Sequence, residues 1–135
     1  MDKINDSHQT HLAAACLLLS IAEADETLQQ NELDTICDIL KDFFSLNNNE
    51  SIELLIKAQK QLNDSIDLFE FGQHLNITFD QSDKLDFIGC VFEIAFSDGD
   101  LHYLEHHTIK KIAHILNLSK HEVIKSKQEI ERFYV

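Results

Sequence analysis

The sequence predicts an all-α fold, and both its composition and the spacing of its apolar residues support that prediction. Proline is absent and glycine occurs only three times in 135 residues, so the chain has few of the residues that form turns between β-strands. Apolar residues instead recur at intervals of three and four, which places them on one face of a helix. With 44% hydrophobic and 26% charged residues, the composition is that of a globular chain, and the length predicts one compact domain over 1–135.

Seven helices follow from this spacing and from the capping residues that precede several of them. The first and the fifth helix are apolar over most of their circumference, so we expect them at the centre of the bundle. The second and the sixth helix are expected to flank them, each with one apolar face. The predicted bounds, in chain order, are 8–24, 30–45, 49–62, 65–76, 82–97, 103–117 and 120–133.

Two apolar segments have a second interpretation. The run 12–21 is followed by Ala22-Glu23-Ala24, which resembles the end of a secretory leader, but the residues before it are not cationic. We therefore predict a core helix. The aromatic stretch Leu68-Phe69-Glu70-Phe71 is predicted to lie in the core, with an exposed groove for a partner as the alternative.

The chain repeats itself at an offset of 73 residues. Residues 21–40 match residues 94–113, and the matches include two carboxylate pairs, Asp25/Asp98 and Glu32/Glu105. After a slip of one residue, 43–50 matches 115–122. Both of these segments contain a capping-box pattern, Asn47-x-x-Glu50 and Ser119-x-x-Glu122.

This period is longer than that of solenoid repeats. The sequence therefore predicts a bundle built from two pseudo-symmetric helical halves, approximately 8–62 and 82–133. The internal counterpart of the run 12–21, at 85–94, further favours a core helix over a leader.

Charge is strongly and unevenly distributed. Eleven basic and twenty-four acidic side chains give a formal charge of −13, and such a surface repels phosphate, so we expect no nucleic-acid partner. Residues 110–135 nevertheless hold six basic and three acidic side chains. This cationic segment is either a solvated helix face or a docking patch.

The three cysteines, Cys16, Cys37 and Cys90, have no CxxC spacing and lie in apolar helical stretches. They are predicted to be free thiols, which favours a reducing cytoplasm as the location of the protein.

A motif of the form I-A-x-[AS]-D-G-x-[IL]-x-x-x-E follows an apolar helix twice, as IAEADETLQQNE (21–32) and IAFSDGDLHYLE (94–105), with DLFEF (67–71) between the copies. In these features the chain resembles the tellurite-resistance TerB-like domain over about residues 12–125. It is also similar to the N-terminal module of membrane-anchored DnaJ-type co-chaperones, although no J-domain signature is present. The second copy keeps Asp98-Gly99, whereas Glu26 replaces the glycine in the first.

The resemblance implies an acidic, all-helical module of stress or toxic-anion resistance, without a catalytic centre. Its implied partners are other proteins, with peripheral association with a membrane protein as one form of that binding. The oligomeric state does not follow from the sequence.

The acidic motif itself has two interpretations. In the structural one, Gly99 makes a tight turn and Glu105 lies in the first turn of the next helix, where it satisfies free backbone N–H groups. In the other, clustered carboxylates bind Ca²⁺ or Mg²⁺. The ligands of this cation site would be Asp25, Glu32, Asp98, Asp100 and Glu105. The spacing is not that of an EF-hand.

Catalytic patterns are absent from the sequence. His102 and His106 share a helix face, but no HExxH motif or third ligand accompanies them. His114 and His121 are expected at the surface and His74 partly buried. Because GxSxG, P-loop and GxGxxG motifs are also missing, no enzyme is predicted. Two functions remain, a protein-binding module and, as the alternative, a divalent-cation binding or sensing protein.

Overall fold

The structure, a computed structural model, describes residues 3–23, 30–64, 67–97 and 103–133, with side chains from residue 8 onward in the first range and from residue 106 onward in the last. These residues form seven helices and no strand, which confirms the all-α prediction. The helices are α1 (Lys3–Ala22), α2 (Gln30–Phe44), α3 (Asn48–Asp64), α4 (Leu68–Thr78), α5 (Gln81–Phe96), α6 (Tyr103–Ile115) and α7 (Lys120–Glu131).

Helix α1 is the central element of the bundle. It packs against α2, α3, α4, α5 and α6, and every residue from Ala13 to Leu19 is buried. Three of these seven residues are alanines, and their small side chains let neighbouring helices approach the α1 backbone closely. The prediction that the apolar run 12–21 forms a core helix is therefore confirmed.

Helix α5 is the second central element and packs against α1, α2, α6 and α7. Its fully buried residues include Phe87, Ile88, Val91 and Phe92. One side of α5 remains partly open to solvent, however, along Asp86, Cys90 and Glu93. The fifth helix is thus less completely surrounded than its apolar content predicted.

Aromatic rings connect α1, α2, α5 and the residue that follows α4. Phe43 of α2 contacts Phe79, which follows α4, with ring centroids 5.5 Å apart, and Phe87 of α5, with centroids 6.1 Å apart. His11 of α1 stacks on Phe44 at 4.1 Å. Such tilted and edge-on pairs add specific orientation to the burial of apolar area.

The two matched junctions of the repeat have the same local geometry. Ser45 and Asn117 both have positive φ values, 57° and 62°. The following leucine N–H in each case donates back over five residues, Leu46 to the Lys41 carbonyl and Leu118 to the Ala113 carbonyl. This is the Schellman arrangement that ends a helix.

Both junctions continue into the predicted capping boxes. Asn47 and Glu50 exchange hydrogen bonds of 2.9 and 2.8 Å between side chain and backbone, and Ser119 and Glu122 do the same at 2.8 and 3.1 Å. The pseudo-symmetry of the complete halves stays a prediction, but the local signals at both junctions are confirmed.

Three predicted features differ from the structure. Helix α1 begins at Lys3 rather than at residue 8, since no proline or glycine interrupts the polar segment before the apolar run. Helix α4 begins at Leu68 because the Asp67 side chain accepts a hydrogen bond from the Phe69 N–H at 3.0 Å, which makes Asp67 the N-cap. Phe69 is 56% exposed whereas Phe71 is buried. The prediction that the whole 68–71 stretch lies in the core was wrong for Phe69, because two residues along a helix turn by about 200°.

The cysteines and three histidines lie as expected. All three cysteines are free, and His114 and His121 are exposed. His74 is partly buried, and its Nε2 lies 3.2 Å from the Thr10 hydroxyl oxygen. In the described part of the chain, no helix is long and apolar enough to cross a membrane.

Gly72 of α4 packs directly against Ile115 of α6. A Cβ atom at this position would overlap the Cγ2 atom of Ile115, although alanine is the better helix former by about 1 kcal/mol. We therefore expect Gly72→Ala to destabilise the protein by about 1–3 kcal/mol through overpacking. Denaturant unfolding monitored by circular dichroism measures this change.

Gly89 of α5 provides the matched control. A Cβ atom there would lie 3.7 Å from Ser126 Oγ and 3.9 Å from Ile130 Cδ1, which are ordinary contacts. Gly89→Ala should therefore leave stability unchanged or raise it by up to about 1 kcal/mol. Equal losses in both variants would contradict the tight α4–α6 contact.

Candidate functional site

Most of the predicted cation ligands lie outside the described residues. Asp25, Asp98 and Asp100 belong to the segments 24–29 and 98–102, which the structure does not describe. Glu105 lies on the backbone of α6, but its side chain is not described. Only Glu32 can be placed, and it is fully buried in the first turn of α2.

The start of α2 lies beside the end of α5. Asn31 at the start of α2 donates its side-chain amide to the carbonyl of Ser97, directly after α5, at 3.2 Å. Asn31 follows segment 24–29 in the chain and Ser97 precedes segment 98–102. The arrangement of those two segments themselves lies outside the described residues.

Burial raises the pKa of Glu23, just beyond α1, above its usual value. Nevertheless, no group of three or more metal-ligating side chains occurs among the described residues. The five-carboxylate cation site therefore stays a prediction.

A second acidic feature lies between α2 and α5, and we call it the acidic recess. It is a cavity of about 440 Å³ that brings together carboxylates of both helices with one thiol. The acidic and thiol side chains are Asp42, Asp83, Asp86, Cys90 and Glu93. Four of them follow one another at intervals of three and four along α5, a helical-face signal that sequence reasoning missed.

Burial, with added repulsion between neighbouring acidic groups, raises two pKa values in the acidic recess. Burial, and then the charge of Asp42, raises the pKa of Glu93 above its usual 4.5. Burial raises the pKa of Cys90 to about 12, with smaller contributions from Glu93, Asp86 and Asp42. In both groups, burial therefore disfavours the charged form.

The third feature is the α6–α7 groove, an open cavity of about 680 Å³ between α6 and α7. Helices α6 and α7 both pack on α5, and Phe92 of α5 forms the floor. The remaining apolar lining comes from Ile109, Ala113, Leu118, Val123 and Ile124.

Basic side chains surround this apolar lining. Lys110 and His114 lie on the α6 side and Lys120 and Lys127 on the α7 side. Burial, and then repulsion by Lys110 and Lys127, lowers the pKa of His106. His106 is therefore neutral near pH 7, and the positive charge of the rim comes from the lysines.

The acidic side chains near the groove are few. Glu131 lies at its edge. Glu122 is held elsewhere, because its carboxylate accepts hydrogen bonds from the Ser119 N–H and from the Gln81 amide at 2.7 Å. The cationic segment of the sequence thus contributes three lysines to the rim of one apolar groove. The sequence showed the charge, but not the apolar floor that α5 supplies.

The fold and these surfaces define a class of small all-helical, acidic modules with an open groove. Residues 11–128 match the family model described as tellurite resistance protein TerB. Because the match covers most of the chain, this protein belongs to the TerB family. Comparisons with curated proteins and with solved structures find no match.

The raised pKa of Glu93 has a consequence for stability. The folded protein binds the Glu93 proton more readily than the unfolded chain, so its stability falls as pH rises from about 4.5 through the higher folded pKa. Glu93→Gln removes the partly buried negative charge and its repulsion by Asp42. We therefore expect the melting temperature of this variant at pH 7 to be a few degrees higher than that of the wild type. The difference should vanish below about pH 4, where Glu93 is protonated in both states.

Glu53→Gln is the control for this comparison, since Glu53 is exposed on α3 and its substitution changes the net charge equally. A stabilisation of the same size in Glu53→Gln would show that net charge, rather than repulsion in the acidic recess, is the cause.

The cation hypothesis predicts a measurable heat when chelator-stripped wild-type protein is titrated with Ca²⁺ or Mg²⁺. It also predicts stabilisation by about 2.7 kcal/mol at an ion concentration of one hundred times Kd. Glu105→Gln should abolish both effects, whereas Glu122→Gln, at the same position in the first turn of α7, should not. An absence of binding at several millimolar ion would leave helix capping as the role of the motif.

Proposed function

We propose that this protein is a non-enzymatic TerB-family module of tellurite-type stress resistance, which acts in the cytoplasm by binding other proteins. The family match over residues 11–128 supports the link to stress resistance. The α6–α7 groove is the observation that carries the binding part of the proposal.

The groove has the features of a recognition surface. Its volume lies within the range of about 300–1,000 Å³ typical of binding pockets. It combines an apolar floor with polar groups at the rim, as binding sites commonly do. Ile124 at its edge is 44% exposed, so an apolar side chain is available to a partner without rearrangement of the fold.

A non-enzymatic role agrees with the state of the thiols. Burial raises the pKa of Cys16 and of Cys90 to about 12 and also raises that of Cys37. These thiols are therefore protonated near neutral pH, and a protonated thiol is a poor nucleophile. Cys16 in addition lies within 3.7 Å of the Ala58 carbonyl in the buried core, to which its S–H donates.

A genetic experiment in the native host tests this proposal. A strain that lacks the protein should grow less well on potassium tellurite, and expression of the wild-type chain should restore growth. When the tagged protein is purified from tellurite-treated cells, a specific partner protein should be purified with it. The reciprocal experiment, with the tag on that partner, should recover this protein.

The purified protein should also leave tellurite unreduced when it is supplied with NADH or NADPH. Catalytic loss of tellurite in that assay would contradict the non-enzymatic role. Unchanged resistance in the deletion strain would contradict the role in tellurite-type stress.

A further inference from the structure

The α6–α7 groove differs in charge from the rest of the molecule. The chain carries a formal charge of −13, yet among the side chains that the structure describes three lysines and one carboxylate, that of Glu131, line this groove. The net negative charge of the protein attracts cationic ligands, but the lysines of the groove would repel them from this site. The groove is therefore complementary to an anionic ligand.

The basic groups are arranged in rows and do not converge on a point. Lys120 and Lys127 are two turns apart on α7, which corresponds to about 10 Å along the helix axis. Lys110 and His114 lie one turn apart on the opposite wall. A small anion needs donors that converge on it, whereas separated rows suit a ligand with several negative groups along its length.

Between these rows the surface is apolar. Phe92, Ile109 and Ala113 form the inner part of the groove, and Val123 and Ile124 form the α7 side. A purely polar polyanion would gain nothing from this lining. The matching ligand carries an apolar stripe with acidic groups on both sides of it, which is the pattern of an acidic amphipathic helix.

Helix α7 also leaves space for such a helix. It has no buried residue of its own. It packs against α5 at Gly89, where Ser126 and Ile130 lie close to the glycine. The side of α7 that carries Val123, Ile124 and Lys127 faces the groove instead. A partner helix laid there would complete a helix layer over Phe92.

We infer that the α6–α7 groove binds an acidic amphipathic helix of a partner protein, with its apolar stripe over Val123 and Ile124 and its carboxylates beside Lys110, Lys120 and Lys127. This inference rests on the proposed function, because it names the chemistry of the partner. The apolar contacts supply affinity, and the lysine rows fix orientation and exclude basic helices.

The test uses the full chain and a fluorescent synthetic peptide of about four helical turns. The peptide carries leucines at i, i+3, i+4 and i+7 and glutamates on both flanks of that stripe. Two control peptides have lysine in place of every glutamate, or the same composition in an order without an apolar stripe. Fluorescence anisotropy should show saturable binding of the acidic amphipathic peptide alone, weakened by added salt.

Two pairs of protein variants locate the site. Lys110→Glu/Lys127→Glu should weaken binding of the acidic peptide by about tenfold or more. Lys111→Glu/Lys125→Glu, on the same two helices but outside the groove, changes the net charge equally and should bind as the wild type does. Ile124→Ser should weaken binding, whereas Ile52→Ser on α3, where the side chain is 43% exposed against 44% for Ile124, should not.

Absence of peptide binding at about 1 mM would overturn the inference, as would equal losses in the two lysine pairs. A third outcome would also overturn the inference. If the peptide does not bind, but the protein binds vesicles that contain anionic phospholipid and only Lys110→Glu/Lys127→Glu abolishes that binding, the groove binds a membrane surface instead.

Failure of this inference can be distinguished from failure of the proposed function. If Lys110→Glu/Lys127→Glu still restores tellurite resistance and retains the cellular partner, the partner binds elsewhere. The inference about the groove is then wrong while the module function stands.

Discussion

The burial of Ala13 to Leu19 in α1 is the constraint on which the rest of the structure depends. Each of these seven consecutive residues is at most 4% exposed, and five other helices pack against α1. Burial of apolar area is the main favourable contribution to folding. A helical segment that is apolar on every side gains this stabilisation only when neighbouring helices cover every side. The arrangement of α2 to α6 follows from that requirement.

The position of the groove follows from the same arrangement. With α1 surrounded, α7 has no access to the centre and packs on the outer side of α5. It buries no residue of its own, and the space between α6 and α7 stays open above Phe92. The acidic recess has a similar origin, because the partly open side of α5 carries Asp83, Asp86 and Glu93 towards Asp42 of α2.

Local signals were sufficient to predict most of the fold. The apolar spacing of α1 and α5 predicted their central position, and the capping boxes at Asn47 and Ser119 predicted where α3 and α7 begin. These signals act between residues close in the chain, so the sequence displays them directly. Phe69 was misplaced because a dense aromatic stretch indicates that the segment is hydrophobic, but it does not indicate on which face of the helix each ring lies.

The candidate sites were less predictable because they depend on contacts between distant segments. The charge of Lys110, Lys120 and Lys127 was visible in the sequence, but their apolar floor comes from Phe92 on another helix. The acidic recess likewise needs Asp42 beside a face of α5. In contrast, the carboxylate motif was evident at once from the repeat, and its chemical role depends on the side chains of segments 24–29 and 98–102, outside the described residues.

Native-state hydrogen exchange tests the central position of α1 most directly. We expect the amides of Ala13–Leu19 to exchange only through global unfolding, so that their exchange gives the same free energy as denaturant unfolding. Amides of α7 should exchange through a smaller, local opening, because α7 has no buried residues to hold it. Exchange from α1 that is as fast as, or faster than, exchange from α7 would contradict this account of the fold.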